Sequence, residues 1–225
     1  TATDSLWRQA ADYFHIYPSH GSAAAFAEAV REGFKEDRSD GGVYWRLSSG
    51  AFDTGLPSAV SEPRFIYEKT TRATAQFAAM GAIFARLIQD YDAPRAALVL
   101  AAAEQAWEFV RTRPIWPAEG TLYRNPTEHP GGGEYSLRSS KPDMEWAAAE
   151  LYRTTGDVAY QDAYRALVDE TPFDVTRAPE TTPSRWAMVM AGHDDRDPVL
   201  VEEARRAIMT AADIPDRLYI EGEGS

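Results

Sequence analysis

Thr70-Thr71-Arg72-Ala73-Thr74-Ala75-Gln76-Phe77-Ala78-Ala79-Met80-Gly81-Ala82-Ile83-Phe84-Ala85-Arg86-Leu87-Ile88-Gln89 is the stretch on which the fold turns. Its apolar and small residues Ala73, Phe77, Met80, Gly81, Phe84, Leu87 and Ile88 recur at spacings of three and four, with Arg72, Gln76, Arg86 and Gln89 on other faces. That period predicts an amphipathic helix. Asp90 and Asp92 then close this helix and open another, with Pro94 in its first turn. Ala96 to Arg111 repeats the pattern through Leu100, Ala103, Trp107 and Val110, so the two segments predict a helical hairpin.

The same unit recurs outward from this hairpin. Asp143–Thr155 and Asp157–Asp169 form a second predicted pair, joined where Gly156 suits a left-handed C-terminal position and Asp157 the next N-cap. Ser184–Ala191 and Pro198–Ala212 form a third, and the Ala-rich segment Ser22–Glu36 is a further predicted helix. Two stretches break the pattern. Gly41–Tyr67, with its Leu56-Pro57 and Glu62-Pro63 turns, suits a short strand or extended loop. Ile115–Pro142 contains the Gly131-Gly132-Gly133 run and the aromatics Trp116, Tyr123 and Tyr135. A loop longer than about 12–15 residues is usually functional or disordered, and its aromatic content argues against disorder. No low-complexity linker divides the chain, which reads as one domain over residues 1–225.

Composition narrows the partners. The chain carries 23 Lys and Arg against 35 Asp and Glu, a net charge of −12, which argues against nucleic acid or an anionic membrane surface and for a neutral or cationic ligand. Without cysteine there are no disulfides and no thiolate zinc sites, and cysteine says nothing about location. No apolar run approaches the roughly 20 residues of a membrane span, and Thr1–Arg8 has no signal-peptide pattern.

Several separated segments resemble one family. Gly41-Gly42-Val43-Tyr44-Trp45-Arg46-Leu47, the run from Glu62 to Ala79, Ala101 to Phe109, Gly132-Gly133-Glu134-Tyr135 and Asp143 to Asp157 are similar, in order and spacing, to the middle of family 9 glycoside hydrolases, the inverting cellulases. The resemblance covers roughly residues 41–212 and implies an all-α fold, an (α/α)6 toroid of helical hairpins, complete or truncated. It also implies hydrolysis of β-1,4-linked glucan or cello-oligosaccharides, no required cofactor, and a secreted protein. A non-catalytic carbohydrate-binding remnant of the same barrel is the alternative, and a lyase for acidic sugars, which would need a basic site, fits the net charge less well.

What the resemblance implies for the site is uneven. Inverting hydrolysis needs two carboxyl groups roughly 6.5–9.5 Å apart. The family's Asp-Ala-Gly-Asp-type motif is only echoed by Ala11-Asp12-Tyr13, with Gln9 at the first aspartate and Phe14 at a glycine, so Asp12 is a weak catalytic candidate and the acid is unassigned. Glu221 and Glu223 read as solvated tail charges. Sugar contacts are better represented, because a pyranose offers C–H faces to flat rings and hydroxyls to charged or amide groups. Asp143, at a helix start where dipole and N–H groups favour the carboxylate, matches a family residue that contacts glucan near the cleavage point. Tyr135 beside the triple glycine, Tyr123, Trp186 after Pro183-Ser184-Arg185, and Arg64 are further candidates, Arg64 better suited to an ion pair that holds its loop; Trp107 and Trp146 read as core. Zinc, which some relatives bind through Cys and His, is not expected, since there is no Cys and Trp45 stands where a His is frequent. Structural calcium would have to use His193-Asp194-Asp195-Arg196-Asp197, which reads more readily as a solvated loop.

Overall fold

The computed structural model describes residues 40–45, 47–49, 64–66, 68–118, 139–170 and 178–222, with side chains for 40–45, 68–118, 139–168 and 181–213. The chain divides into two compact units. Residues 1–40, 44–68 and 123–135 make up one, and 41–43, 69–122 and 136–225 the other. In the first, β1 (Leu47–Ser49) pairs antiparallel with β2 (Arg64–Ile66), Ser48 opposite Phe65, where a short strand or extended loop was expected. The second unit is helical: α1 (Thr71–Ile88), α2 (Ala93–Thr112), α3 (Lys141–Thr155), α4 (Val158–Glu170), α5 (Ala178–Met190) and α6 (Pro198–Gly222). The helix expected at Ser22–Glu36 lies outside the described residues.

Local signals set most of the helix ends. Thr70 Oγ1 accepts from Ala73 N at the start of α1, and Asp92 Oδ1 accepts from Arg95 N at the start of α2. Gly156 closes α3 at φ +75°, its N–H bonded to Tyr152 O, and Asp157 Oδ1 accepts from Ala159 N as α4 begins. Two boundaries differ from expectation. Helix α5 starts at Ala178, not Ser184, and holds Pro183 inside it. A proline here removes one intrahelical bond, a loss that tertiary packing offsets; Thr181, Ser184 and Arg185 are all buried in that packing. Helix α6 continues past Ala212 to Gly222.

Three hairpins, α1–α2, α3–α4 and α5–α6, pack so that α1 lies on α3 and α3 on α5, while each even-numbered helix covers its own partner. Side-chain bonds fix the directions. Near the start of α1, Gln76 reaches Asp143 near the start of α3 at 2.8 Å; near its end, Arg86 reaches Glu150 at 2.8 Å and Thr154 at 2.6 Å. These helices are therefore parallel. Helix α5 follows, because Arg185 bonds Glu145 in α3, and Asp195, just beyond the end of α5, accepts from Tyr152 near the end of α3. A row of parallel inner helices backed by antiparallel outer ones is the build of an (α/α) toroid, and three hairpins are half of the six in (α/α)6.

The core between these helices is made of small side chains: Ala75, Ala78, Ala79, Ala82, Ala103, Ala106, Ala147, Ala148, Ala149 and Ala187 are all fully buried. Small residues bring helix axes toward the near end of the usual 8–10 Å range. At Gly81 an added Cβ would stand 3.0 Å from that of Ala103. The period of α1 is the one expected, but its larger apolar residues are not the buried ones. Phe77, Met80, Phe84 and Leu87 are 40–65 % exposed, and the buried residues are Thr71, Thr74, Ala75, Ala78, Ala79, Gly81, Ala82 and Ala85. Trp107 is buried as expected and meets Tyr160 edge-on, with ring centroids 6.1 Å apart. Trp146 packs partly buried against the same core.

Candidate functional site

Because α1, α3 and α5 are parallel, their N-terminal ends open on one side of the helical unit. Helix α3 begins there at Ser140-Lys141-Pro142-Asp143, with Pro142 in the first turn, where its missing N–H costs no helix bond. The Asp143 carboxylate is held from α1: Oδ1 accepts from Gln76 Nε2 at 2.8 Å, and Oδ2 lies 3.5 Å from Arg72 Nε. The Asp143 side chain is 13 % exposed and that of Arg72 is 44 % exposed. A fixed carboxylate beside a half-exposed guanidinium and an amide offers both acceptor and donor character to hydroxyls.

Two tryptophans flank this end. Trp116 is tied to the first turn of α1 in both directions, since Thr71 N donates to Trp116 O and Trp116 N donates to Thr71 Oγ1, each at 2.8 Å. Trp116 is 50 % exposed, while the following Pro117 is buried. Trp186 is 48 % exposed. The bond from its neighbour Arg185 to Glu145 ties this part of α5 to the first half of α3.

Under this surface lies a buried ion pair. Arg185 Nη1 donates to Glu145 Oε2 at 2.8 Å and to the Tyr164 hydroxyl at 3.0 Å, and the side chains of Arg185 and Glu145 are 3 % and 0 % exposed. Ser184 Oγ donates to Glu145 Oε2 at 3.3 Å and to Thr181 O at 2.7 Å. Burial pushes the Tyr164 phenol up to about 12, the neighbouring Arg185 pulling it partly back. The network joins α3, α4 and α5 and fixes the register in which Asp143 and Trp186 are presented.

The sequence candidates separate as follows. Asp143 and Trp186 come to the same end, one anchored and one exposed. Arg64 lies in β2, and its side chain is outside the described residues, as are Asp12, Tyr123, Tyr135 and Glu223; Glu221 lies in α6, its side chain also undescribed. Arg72 and Gln76 were missed as partners of Asp143, although their spacing of four marks one polar stripe on α1. The Glu145–Arg185 pair left no local signal. In the His193–Asp197 loop, Asp195 accepts from Tyr152, and Asp197 pairs with Arg165 and accepts from Val199 N. Asp194 and Asp195 are exposed, as a solvated loop requires, so the loop is solvated and also holds these structural contacts. Among the described residues no three His, Asp or Glu side chains gather as a metal site, and no helix is long and apolar enough to cross a membrane.

Known proteins match this arrangement. Residues 5–207 fit the model of glycosyl hydrolase family 9. A cellulose 1,4-beta-cellobiosidase of Acetivibrio thermocellus is 40 % identical over 107 residues, 48 % of this chain and 12 % of that protein. Endoglucanase C of Cellulomonas fimi is 31 % identical over 136 residues, 60 % of this chain and again 12 % of the relative. Among solved structures, a metagenome-derived family 9 endoglucanase superposes with a TM-score of 0.64 at 31 % identity, covering 81 % of this chain and 34 % of its own. A Bacteroides ovatus family 9 protein, 23 % identical, shares the fold at a TM-score of 0.68 over 84 % of this chain and 35 % of its own. The chain thus spans about a third of the length of these two solved relatives and about an eighth of these two curated ones. Its helical arc is part of their toroid, and the chain belongs to glycosyl hydrolase family 9.

Proposed function

We propose that this chain is a glucan-contacting part of an inverting β-1,4-glucan hydrolase, with Asp143 accepting from sugar hydroxyls and Trp186 and Trp116 offering ring faces. The observation that carries this reading is the anchored carboxylate of Asp143, fixed by Gln76 and Arg72 at the end where both tryptophans are half-exposed. A carboxylate bonded to a sugar hydroxyl contributes about 1.5–3 kcal/mol, and a stacked ring adds C–H contact that tolerates many sugars. Polymeric glucan lies outside cells, so the reading implies an extracellular place of action. Arg64, Tyr123 and Tyr135 remain candidate glucan contacts in it, and Asp12 a candidate base.

A second reading, carbohydrate binding without cleavage by this chain, is favoured by one observation. The N-terminal turns of α3 carry two carboxylates, and one of them, Glu145, is wholly buried against Arg185. Asp143 therefore has no second exposed carboxylate beside it on α3 to complete an inverting pair. Calorimetry with cellohexaose and reducing-end release from soluble cellulose separate the two. Binding with turnover supports the hydrolase, binding alone the second reading. Asp143→Ala and Trp186→Ala should each weaken binding roughly tenfold or more with helical content unchanged, and unaltered binding in both sinks the proposed surface.

A further inference from the structure

Arg72 is poorly accounted for by the needs of its helix. It stands in the first turn of α1, where the helix dipole disfavours a cation, and that turn has no acidic residue to offset it. Arg86, in the last turn of the same helix, has the favourable position and is bonded to Glu150 and Thr154. Among the described residues Arg72 meets only Asp143, through Nε at 3.5 Å from Oδ2, which is longer than a good hydrogen bond. Its terminal nitrogens have no partner there, and its side chain is 44 % exposed. An ion pair so open to water adds little to stability. A residue set against its own helix, with little return in stability, is where a functional demand is expected.

The neighbours of Arg72 say what that demand is. Trp116 is bonded through its backbone to Thr71, so a half-exposed ring is held at the same turn as the guanidinium. The Asp143 carboxylate only accepts hydrogen bonds and the Arg72 guanidinium only donates them. Two adjacent sugar hydroxyls answer both, one donating to the carboxylate while the oxygen of the other accepts from the guanidinium. A uronic acid fits less well, because its carboxylate would stand beside that of Asp143. In an inner unit of a β-1,4-linked glucan, O1 and O4 are taken up in the linkages and O6 stands apart on its own carbon. The adjacent free pair is therefore O2 and O3. Building on the glucan-contacting surface described above, we propose that Arg72 is a sugar contact that sets specificity, reading with Asp143 the free O2 and O3 of one glucosyl unit. A terminal nitrogen of Arg72 donates to one of these oxygens, and the other hydroxyl donates to Asp143. Units substituted at O2 and O3 are refused at this position, and units substituted at O6 are accepted.

The test is calorimetry of the intact chain with three ligands: cellotetraose, cellotetraose methylated at every O6, and cellotetraose methylated at every O2 and O3. The parent chain should bind the first two alike and the third about tenfold or more weakly, the effect of losing one hydrogen bond to a charged group. Arg72→Met keeps the aliphatic stem and should weaken cellotetraose by about tenfold with circular dichroism unchanged, while narrowing the gap between the two methylated ligands. Arg72→Ala serves the same purpose if the first variant does not fold. A direct contact is separated from mere positioning of Asp143 in the Asp143→Ala chain. There Arg72→Met should weaken cellotetraose by about threefold or more again, whereas a residue acting only through Asp143 would add nothing. Absence of cellotetraose binding by the parent overturns the glucan reading and this assignment with it. Binding that Asp143→Ala weakens and Arg72→Met does not, tolerance of O2 and O3 methylation, refusal of O6 methylation, or no further loss in the Asp143→Ala chain each overturns the Arg72 assignment alone.

Discussion

Removing one member of the Glu145–Arg185 pair should destabilise the chain far more than removing both. The charged atoms meet at 2.8 Å with side chains 0 % and 3 % exposed, so neither charge has water to fall back on. Two unit charges at 4 Å attract by about 4 kcal/mol at an effective dielectric constant of about 20, and the desolvation of each ion is of similar size. The pair as a whole is therefore near balance. Glu145→Leu leaves the Arg185 guanidinium buried without a counter-charge, and Arg185→Met leaves the carboxylate so; each should cost about 3–5 kcal/mol. The double variant Glu145→Leu/Arg185→Met strands no buried charge of the pair, Ser184 keeps Thr181 O, and the protein should be at least about 2 kcal/mol more stable than either single. At roughly 2–4 °C per kcal/mol for a chain of this size, the single variants should melt about 6–20 °C below the parent. Urea unfolding of all four proteins closes the cycle. Singles that each cost under about 1 kcal/mol, or a double whose loss equals their sum, would refute the claim that this pair is buried and mutually dependent.

Three other outcomes follow from the described contacts. Gly156→Ala places a side chain at φ +75° and a Cβ 3.0 Å from His193 Nδ1, so it should cost about 1–2 kcal/mol in urea unfolding, and His193→Ala should relieve only the crowding share. Asp197 is held below the usual aspartate range by its bond from Arg165 and then by Val199 N–H, so its contribution is present above the unfolded value of about 3.9 and is lost as pH falls through the lower folded value. Asp197→Asn, which keeps a helix cap, should flatten the acid limb of a stability–pH curve; an unchanged slope would count against the ion pair. Tyr152, Tyr160 and Tyr164 are each pushed up to about 12, chiefly by burial, so ultraviolet titration should show late-ionising tyrosines. Because the folded values are raised, that stabilisation is complete below about pH 10 and disappears as pH rises toward 12. Ionisation of every tyrosine near 10 in the folded chain would contradict this.

Helices and their ends were legible because their signals are local. Asp92, Gly156 and Asp157 act where a cap is needed, whatever lies across the core. Asp143 was legible as a charge at a helix start, but its anchoring was not: Gln76 lies 67 residues away, and nothing local says that α1 and α3 are parallel neighbours. The Glu145–Arg185 pair was hidden for the same reason, with 40 residues between its members. Proline misled at Pro183, since a breaker's local cost says nothing about the packing that offsets it. Family resemblance reached further than periodicity because it carries the long-range order of the hairpins, which spacing within one helix cannot.

Helix α1 shows why periodicity chose the wrong face. One side is Ala and Gly, and it is buried against α2 and α3; the other is Phe77, Met80, Phe84 and Leu87, larger and exposed. A hydropathy pattern weighs the second side more heavily because the residues are bigger, yet close helix approach selects the first. A helix apolar on both sides is one that has neighbours on both. Helix α3 meets that condition, lying between α1 and α5 with α4 behind it, and it has no exposed residue along its length. Helix α5 repeats the state of α1 at its end, where Met190 is 57 % exposed. The described helices are thus an arc with two apolar flanks, and the physical demand those flanks make is for further inner helices, which is what a closed (α/α)6 ring supplies.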